Sequence, residues 1–152
     1  MNMSKKTILV VDDEPDIRQL LQEILEDEGY GVEVAENAEV ARRQRLEHKP
    51  DLILLDIWMP DEDGISLLKD WLKEDGLCPV IMMSGHATVE TAVEATRLGA
   101  YDFLEKPLSM AKLLVTVERA METAQLRREN IGLKRRMDVP VEPIGKSLVM
   151  EK

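Results

Sequence analysis

Asp12 and Asp13 stand directly after the apolar run Ile8-Leu9-Val10-Val11, and Asp56 stands directly after a second run, Leu52-Ile53-Leu54-Leu55. If both runs are buried parallel strands, their ends emerge side by side at one edge of a sheet. Three carboxylates packed there repel one another and raise one another's pKa unless a cation neutralises them. An all-oxygen cluster with neither Cys nor His suits Mg²⁺. Two further groups fall at corresponding places: Ser84 follows Val80 to Met83, and Lys106 follows the stretch containing Phe103 and Leu104. A carboxylate, a cation site, a hydroxyl and an ammonium together suit attack on phosphorus, in which the carboxylate is the nucleophile and the positive groups neutralise the phosphoryl oxygens. Asp56, alone at its strand end, is the expected nucleophile. The adjacent pair Asp12 and Asp13 is better suited to gripping the cation, while Ser84 offers a hydrogen bond to a phosphoryl oxygen and Lys106 a counter-charge.

The elements that must position these groups follow from an alternation of apolar runs with amphipathic stretches, the pattern of βα units around a parallel sheet. Five such pairs are expected. After Ile8 to Val11, Pro15 sits in a first helical turn, and Ile17, Leu20, Leu21, Ile24 and Leu25 recur at helical spacing up to Gly29. Val32 to Ala35 makes the second strand, Ala38 to about Glu47 the second helix, and Pro50 separates it from Leu52 to Leu55. Ile65, Leu67, Leu68, Trp71 and Leu72 mark the third helix, and Val80 to Met83 the fourth strand. Val89, Ala92, Val93 and Thr96 give a fourth helix ending at Gly99, and Ala100 to Leu104 the fifth strand. Open sheets of this kind bind their ligands outside the carboxyl ends of the strands, where Asp12, Asp13, Asp56, Ser84 and Lys106 converge.

The last helix begins near Ser109, a natural N-cap, and meets no Gly or Pro except Gly132 before about Met137. That is well beyond an average helix of roughly 11 to 12 residues. Its apolar positions form short, imperfect heptads in two registers, one of them interrupted by Arg128. Two readings therefore stay open: a charged helix that frays beyond about Arg127, or a dimer-forming or signalling linker. From Asp138 the composition shifts to a Pro- and Gly-containing segment, a linker or the threshold of another domain.

Bulk properties narrow the function. The chain has 152 residues, enough for one domain and a tail. With 20 basic and 30 acidic residues its net charge is −10, which argues against holding nucleic acid on its own surface. A single cysteine, Cys78, precludes an internal disulfide. No tripartite leader opens the chain and no apolar run approaches about 18 residues, so a soluble cytoplasmic protein is expected, without membrane attachment. His48 and His86 lack the companions a metal site needs.

The chain resembles the receiver domain of two-component response regulators. The resemblance rests on Val-Val-Asp-Asp-Glu-Pro at 10 to 15, Leu-Leu-Asp-Ile-Trp-Met-Pro-Asp-Glu-Asp-Gly at 54 to 64, Met-Ser-Gly-His at 83 to 86 and Phe-Leu-Glu-Lys-Pro at 103 to 107. It implies a flavodoxin-like, doubly wound five-stranded parallel sheet of order 2-1-3-4-5, with an extended C-terminal helix. It also implies a receiver domain over residues 5–125, a linker helix over 126–137, and a linker or the start of a truncated ATPase domain over 138–152. By position, Asp56 would accept phosphate from a sensor histidine kinase. Asp13, Asp56 and the backbone carbonyl of Trp58 would bind Mg²⁺ directly, with Asp12 acting mainly through water. Ser84 and Phe103 would form the switch pair, Lys106 would pair with the phosphate, and the Lys106-Pro107 bond would be cis. The phosphorylated state would alter the surface of the fourth helix, fifth strand and fifth helix, a possible homodimer face alongside the linker helix.

Residues 87–103 and the segment Glu-Pro-Ile-Gly-Lys-Ser-Leu-Val-Met at 142–150 look like the start of a regulator of the nitrogen-regulation type. In that group the receiver precedes an ATPase domain acting on sigma-54 polymerase and a DNA-binding domain. Gly145-Lys146-Ser147 is not a phosphate-binding loop, since the leading glycine and four-residue spacer are missing. Trp58 and His86, two residues beyond the phosphoacceptor and the switch hydroxyl, stand where the family tunes phosphate lifetime. The implied activity is that of a switch, with only its own phosphorylation and dephosphorylation as chemistry. A magnesium-dependent phosphatase is the competing enzyme reading, disfavoured because Trp58 occupies the place of the second acid in an Asp-x-Asp motif. A constitutive dimerisation module built on the long helix is the third.

Overall fold

The computed structural model describes residues 6–74, 78–85 and 88–138. The expectations about His86 and about the segment from 139 onward lie outside these. Five parallel strands, β1 (Thr7–Val11), β2 (Gly31–Ala35), β3 (Leu52–Asp56), β4 (Val80–Ser84) and β5 (Asp102–Glu105), form one sheet of order β2-β1-β3-β4-β5. The helices are α1 (Pro15–Asp27), α2 (Ala38–His48), α3 (Gly64–Glu74), α4 (Val89–Leu98) and α5 (Met110–Asp138).

The central strands are apolar throughout because both faces of the sheet are covered. Alternate residues Leu9, Val11, Ile53, Leu55 and Met82 pack with Ala38, Ala41, Leu67, Leu68, Trp71 and Ala95 of α2, α3 and α4. Their neighbours Ile8, Val10, Leu52, Leu54, Ile81 and Met83 pack with Leu21, Leu25, Leu113, Val117 and Ala120 of α1 and α5. The sheet register sets Val11 beside Leu55 and Asp56 beside Met83, so the ends of β1, β3 and β4 lie at one level.

The helix termini carry the expected signals. Pro15 is the first residue of α1. Ser109 Oγ accepts from the Lys112 N–H at 3.3 Å and caps α5. Thr88 caps α4 through the Thr91 N–H, and Asp63 caps α3 through the Ser66 N–H at 2.8 Å. The fifth strand begins at Asp102 and not at Ala100. The Ala100 N–H is spent on the Ala95 carbonyl in the closing turn of α4, and Tyr101 then bonds back to Val80. α5 runs unbroken to Asp138, past Arg127. Ala124 is buried, and Gln125 to Asn130 are exposed.

Candidate functional site

The ends of β1, β3, β4 and β5 place Asp12, Asp56, Ser84 and Lys106 at or just beyond one edge of the sheet. Asp12 follows β1 and is fully buried, and its amide remains tied to the Ala35 carbonyl of β2 at 3.1 Å. Asp12 Oδ1 accepts from the Glu14 N–H at 2.9 Å, and its carbonyl accepts from Arg18 Nη1 at 2.7 Å. The turn into α1 is thereby fixed around it. Asp13 is exposed beside it. Asp56 closes β3 and is 4% exposed. Ligand oxygens of Asp12, Asp13 and Asp56 lie within 4.8 Å of one another.

Lys106, just beyond β5, brings its ammonium into this cluster. Its Nζ is 2.7 Å from Asp12 Oδ2, 3.2 Å from Glu14 Oε1 and 3.4 Å from Asp56 Oδ2. The backbone N–H of Lys106 bonds the Ser84 carbonyl at 3.0 Å and ties the lysine to the end of β4. The Lys106-Pro107 peptide is cis. Three carboxylates thus share one ammonium, with Asp13 exposed beside them. Burial, and then the Asp12 charge, push the Asp56 carboxyl up to about 6, against the opposing pull of Lys106 and of the Trp58 N–H. Burial works to lower the Lys106 pKa, but Asp12, Asp56 and Glu14 outweigh it and hold the ammonium above its ordinary range.

The residues fit a hard divalent cation. The donor set is all oxygen, and the charge imbalance is of the sign a cation relieves. Asp12 Oδ2 is buried without an aligned hydrogen-bond donor, its contact with Lys106 being an ion pair. Such an oxygen is available to metal-bound water. Asp13, Glu14, Ile17, Asp56, Trp58, Gly85, Lys106 and Pro107 line a cleft of about 530 Å³ over the cluster, with the Trp58 ring 53% exposed at its mouth.

Ser84 is fully buried at the end of β4. Phe103 is half-buried in β5 and does not line that cleft. It packs against the core on the α2–α3–α4 face and also lines a second cleft of about 590 Å³ with Thr88, Val89, Ala92, Val93 and Lys112. Its ring therefore lies between the core and the α4 surface.

The sequence reading assigns no role to Glu14, Arg18 or Gly64. Glu14 shares Lys106 with the two aspartates, and Arg18 steadies the Asp12 carbonyl. Gly64 has its backbone against Asp56: a Cβ there would overlap the Asp56 carbonyl oxygen and lie 3.0 Å from Ile57 Cα. Glu14 adjoins the acidic pair, which is the one local signal. The partners of Arg18 and Gly64 depend on the folded turn and the loop after β3.

Comparison with known proteins agrees with this geometry. The family model of the response regulator receiver domain matches residues 8–118. The nitrogen assimilation regulatory protein NtrX of Azorhizobium caulinodans is 47% identical over 146 residues, covering 95% of this chain and 32% of that protein. The chain spans about a third of the length of such curated relatives. The crystal structure of the receiver domain of NtrX from Brucella abortus superposes with a TM-score of 0.73 at 47% identity, covering 76% of this chain and 98% of that one. The solution structure of the beryllofluoride-activated NtrC4 receiver domain dimer gives 0.74 at 41% identity, covering 78% and 98%.

Proposed function

This chain belongs to the response regulator receiver domain family, and from that premise we propose that it is a phosphorylation switch in which Asp56 accepts a phosphoryl group from a sensor histidine kinase. The observation that carries this is the placement of the Lys106 ammonium among the buried carboxylates Asp12 and Asp56, at the edge of an open cleft. Asp13, Asp56 and the carbonyl of Trp58 would hold Mg²⁺ directly, with Asp12 acting through water. Bound there, Mg²⁺ supplies charge neutralisation at the phosphoryl oxygens.

The rest is done by side chains. With its pKa near 6, the Asp56 carboxylate is mostly ionised at neutral pH and able to attack phosphorus. The new bond is a carboxylate-oxygen to phosphorus bond; the donor's nitrogen–phosphorus bond breaks, and the leaving imidazole keeps the electron pair. Lys106 would shift from pairing with carboxylates to pairing with the phosphoryl oxygens. Ser84 would hydrogen-bond one of those oxygens, and Phe103 would turn toward the space this vacates, altering α4, β5 and α5. The only chemistry is the chain's own phosphorylation and dephosphorylation.

We assign residues 5–125 to the receiver, 126–137 to a linker helix and 138–152 to a linker or the start of an ATPase domain. The exposure of Gln125 to Asn130 supports the first boundary. The resemblance to regulators of the nitrogen-regulation type, supported by the NtrX relative, makes the output transcription activation with sigma-54 polymerase, exerted by domains other than this one. A homodimer through α4, β5 and α5, or through the linker helix, is supported by the dimer formed by the activated NtrC4 receiver. A cytoplasmic location is proposed together with the receiver assignment; among the described residues no helix is long and apolar enough to cross a membrane. The net charge of −10 weighs against direct nucleic-acid binding by this part.

Incubation with acetyl phosphate and Mg²⁺ tests the core of the proposal. The expected result is one base-labile phosphoryl group per chain, lost in Asp56→Asn and on chelation of Mg²⁺. Undiminished labelling of the Asn variant would sink the proposal.

A further inference from the structure

The loop between β3 and α3, residues 57–63, has two sides. Its inner side belongs to the phosphorylation site: the Trp58 N–H donates to the Asp56 carboxylate, and the Gly64 N–H closes the loop on the Ile57 carbonyl at 2.7 Å. Its outer side makes bonds that the chemistry does not call for. Asp61 Oδ1 accepts from the Ala38 N–H at 3.0 Å, and Asp61 Oδ2 accepts from the Glu39 N–H at 3.1 Å. These are the first two amides of α2, and Asn37 Oδ1 takes the third, from Val40, at 2.9 Å.

A helix cap is ordinarily supplied by the residue preceding the helix. Here a second, two-pronged cap comes from 22 and 23 residues away, so it ties two elements together. One turn further along α2, Arg42 Nη2 lies 2.7 Å from Glu62 Oε2 and 2.8 Å from Asp70 Oδ2 of α3. The loop starts on the buried Ile57, and Met59 packs against the core, but Trp58 and the outer residues Pro60, Asp61 and Asp63 are exposed. α2 is anchored, with Ala38 and Ala41 fully inside the core. The loop is therefore fastened from outside to an element that is fixed on the sheet.

We propose that Asp61 and Arg42 are positioning residues for the cation cradle: by clamping the β3–α3 loop to the first turns of α2, they hold the Trp58 backbone against Asp56. The inference rests on the Mg²⁺-dependent phosphorylation of Asp56 set out above. The clamp touches neither donor nor phosphoryl group, so its effect passes through the affinity for Mg²⁺ and not through the intrinsic rate at saturation. The carboxylates of Asp61, Glu62 and Asp70 and the Arg42 guanidinium thus connect the outer face of α2 to the chemistry.

The test compares the full chain with Asp61→Ala, Asp61→Asn, Arg42→Ala and, as a control, Arg43→Ala. Arg43 is on the same helix, and its guanidinium lies 3.9 Å from the Glu39 carboxylate, whereas Asp61 engages the backbone of that residue. Calorimetric titration with Mg²⁺ alone should show Kd raised roughly 3- to 10-fold in Asp61→Ala and Arg42→Ala, somewhat less than direct supports of metal ligands usually cost. Asp61→Asn keeps one of the two acceptor oxygens and should recover part of the loss, and Arg43→Ala should match the parent. In the metal-free chain the Gly64 amide should exchange faster in the two alanine variants. Phosphorylation by acetyl phosphate should be slow at low Mg²⁺ and return to the parent rate at saturating Mg²⁺. A lowered Tm with unchanged Mg²⁺ affinity and unchanged Gly64 exchange would reduce the clamp to a structural role and overturn the proposal, as would a rate that stays low at saturation. A parent chain that bound no Mg²⁺ would remove the underlying reading itself, visibly and before any variant is compared.

Discussion

Gly64→Ala is expected to destabilise the chain by about 2–4 kcal/mol and to slow phosphorylation of Asp56 at least about 10-fold. Helix propensity alone gives the opposite sign, because Gly64 is the first residue of α3 and alanine is the better helix former by up to about 1 kcal/mol. The close approach decides. An added Cβ would meet the Asp56 carbonyl oxygen, Ile57 Cα at 3.0 Å and the Asp56 carbonyl carbon at 3.1 Å. All three are backbone atoms of the strand end that carries the phosphoacceptor, so no rotamer change relieves the overlap. Either α3 moves outward, opening the bond between the Gly64 N–H and the Ile57 carbonyl, or β3 gives way under Asp56. Both displace the carboxylate, and misplacing a reacting group by about 1 Å costs up to about 10²-fold in rate. Gly29→Ala is the matched control. Gly29 has φ +96° but nothing within 4 Å of an added Cβ, so backbone strain should cost about 1 kcal/mol and leave phosphorylation alone. Urea unfolding and acetyl phosphate labelling of both variants check the pair. A Gly64→Ala chain as stable and reactive as the parent would refute the close-approach account.

The contrast between these two glycines marks where sequence reading stops. Strands buried on both faces must be apolar along their length, and the residue after each run is where the chain leaves the core; Asp12, Asp56, Ser84 and Lys106 are legible for that reason. The same logic places Met82 and Met83 in the core and Trp71 against it. Contacts made across loops leave no such period. Lys106 meets Glu14 across 92 residues, and Asp51 accepts the Thr7 N–H across 44, and neither pairing follows from composition or spacing. The crowding at Gly64 depends on how tightly the loop after β3 closes, which is a property of the folded backbone. The long final helix falls between these cases. Its length is visible from the missing breakers, but its ambiguous heptads cannot say whether it frays, and the structure carries it to Asp138 as continuous helix.

Asp56→Asn, which removes the phosphoacceptor, is expected to make the metal-free chain more stable at neutral pH. Asp56 titrates near its ordinary 3.8 in the unfolded chain and near 6 in the folded one, because burial and the Asp12 charge disfavour its ionised form. A folded-state pKa raised in this way leaves stability undiminished below about pH 3.8 and erodes it as the pH rises through about 6. Above that range the loss is complete. A shift of about 2 units sets an upper bound of about 3 kcal/mol. Asparagine forfeits the ion pair with Lys106 at 3.4 Å, so a net gain of about 1–2 kcal/mol is expected, or roughly 3–8 °C in Tm for a chain of this size. The difference between the two chains should therefore open between about pH 4 and pH 6 and stay level above. Mg²⁺ should act in the opposite sense. If it binds the folded carboxylates, the parent chain gains about 2.7 kcal/mol at a hundredfold excess over Kd, while the Asn variant, deprived of one ligand, gains much less. Thermal melts of both chains across pH, with and without Mg²⁺, measure each part. A variant less stable than its parent at pH 7.5 without metal would show that Lys106 already neutralises the cluster. An advantage that survives saturating Mg²⁺ undiminished would show that Asp56 is not among the ligands.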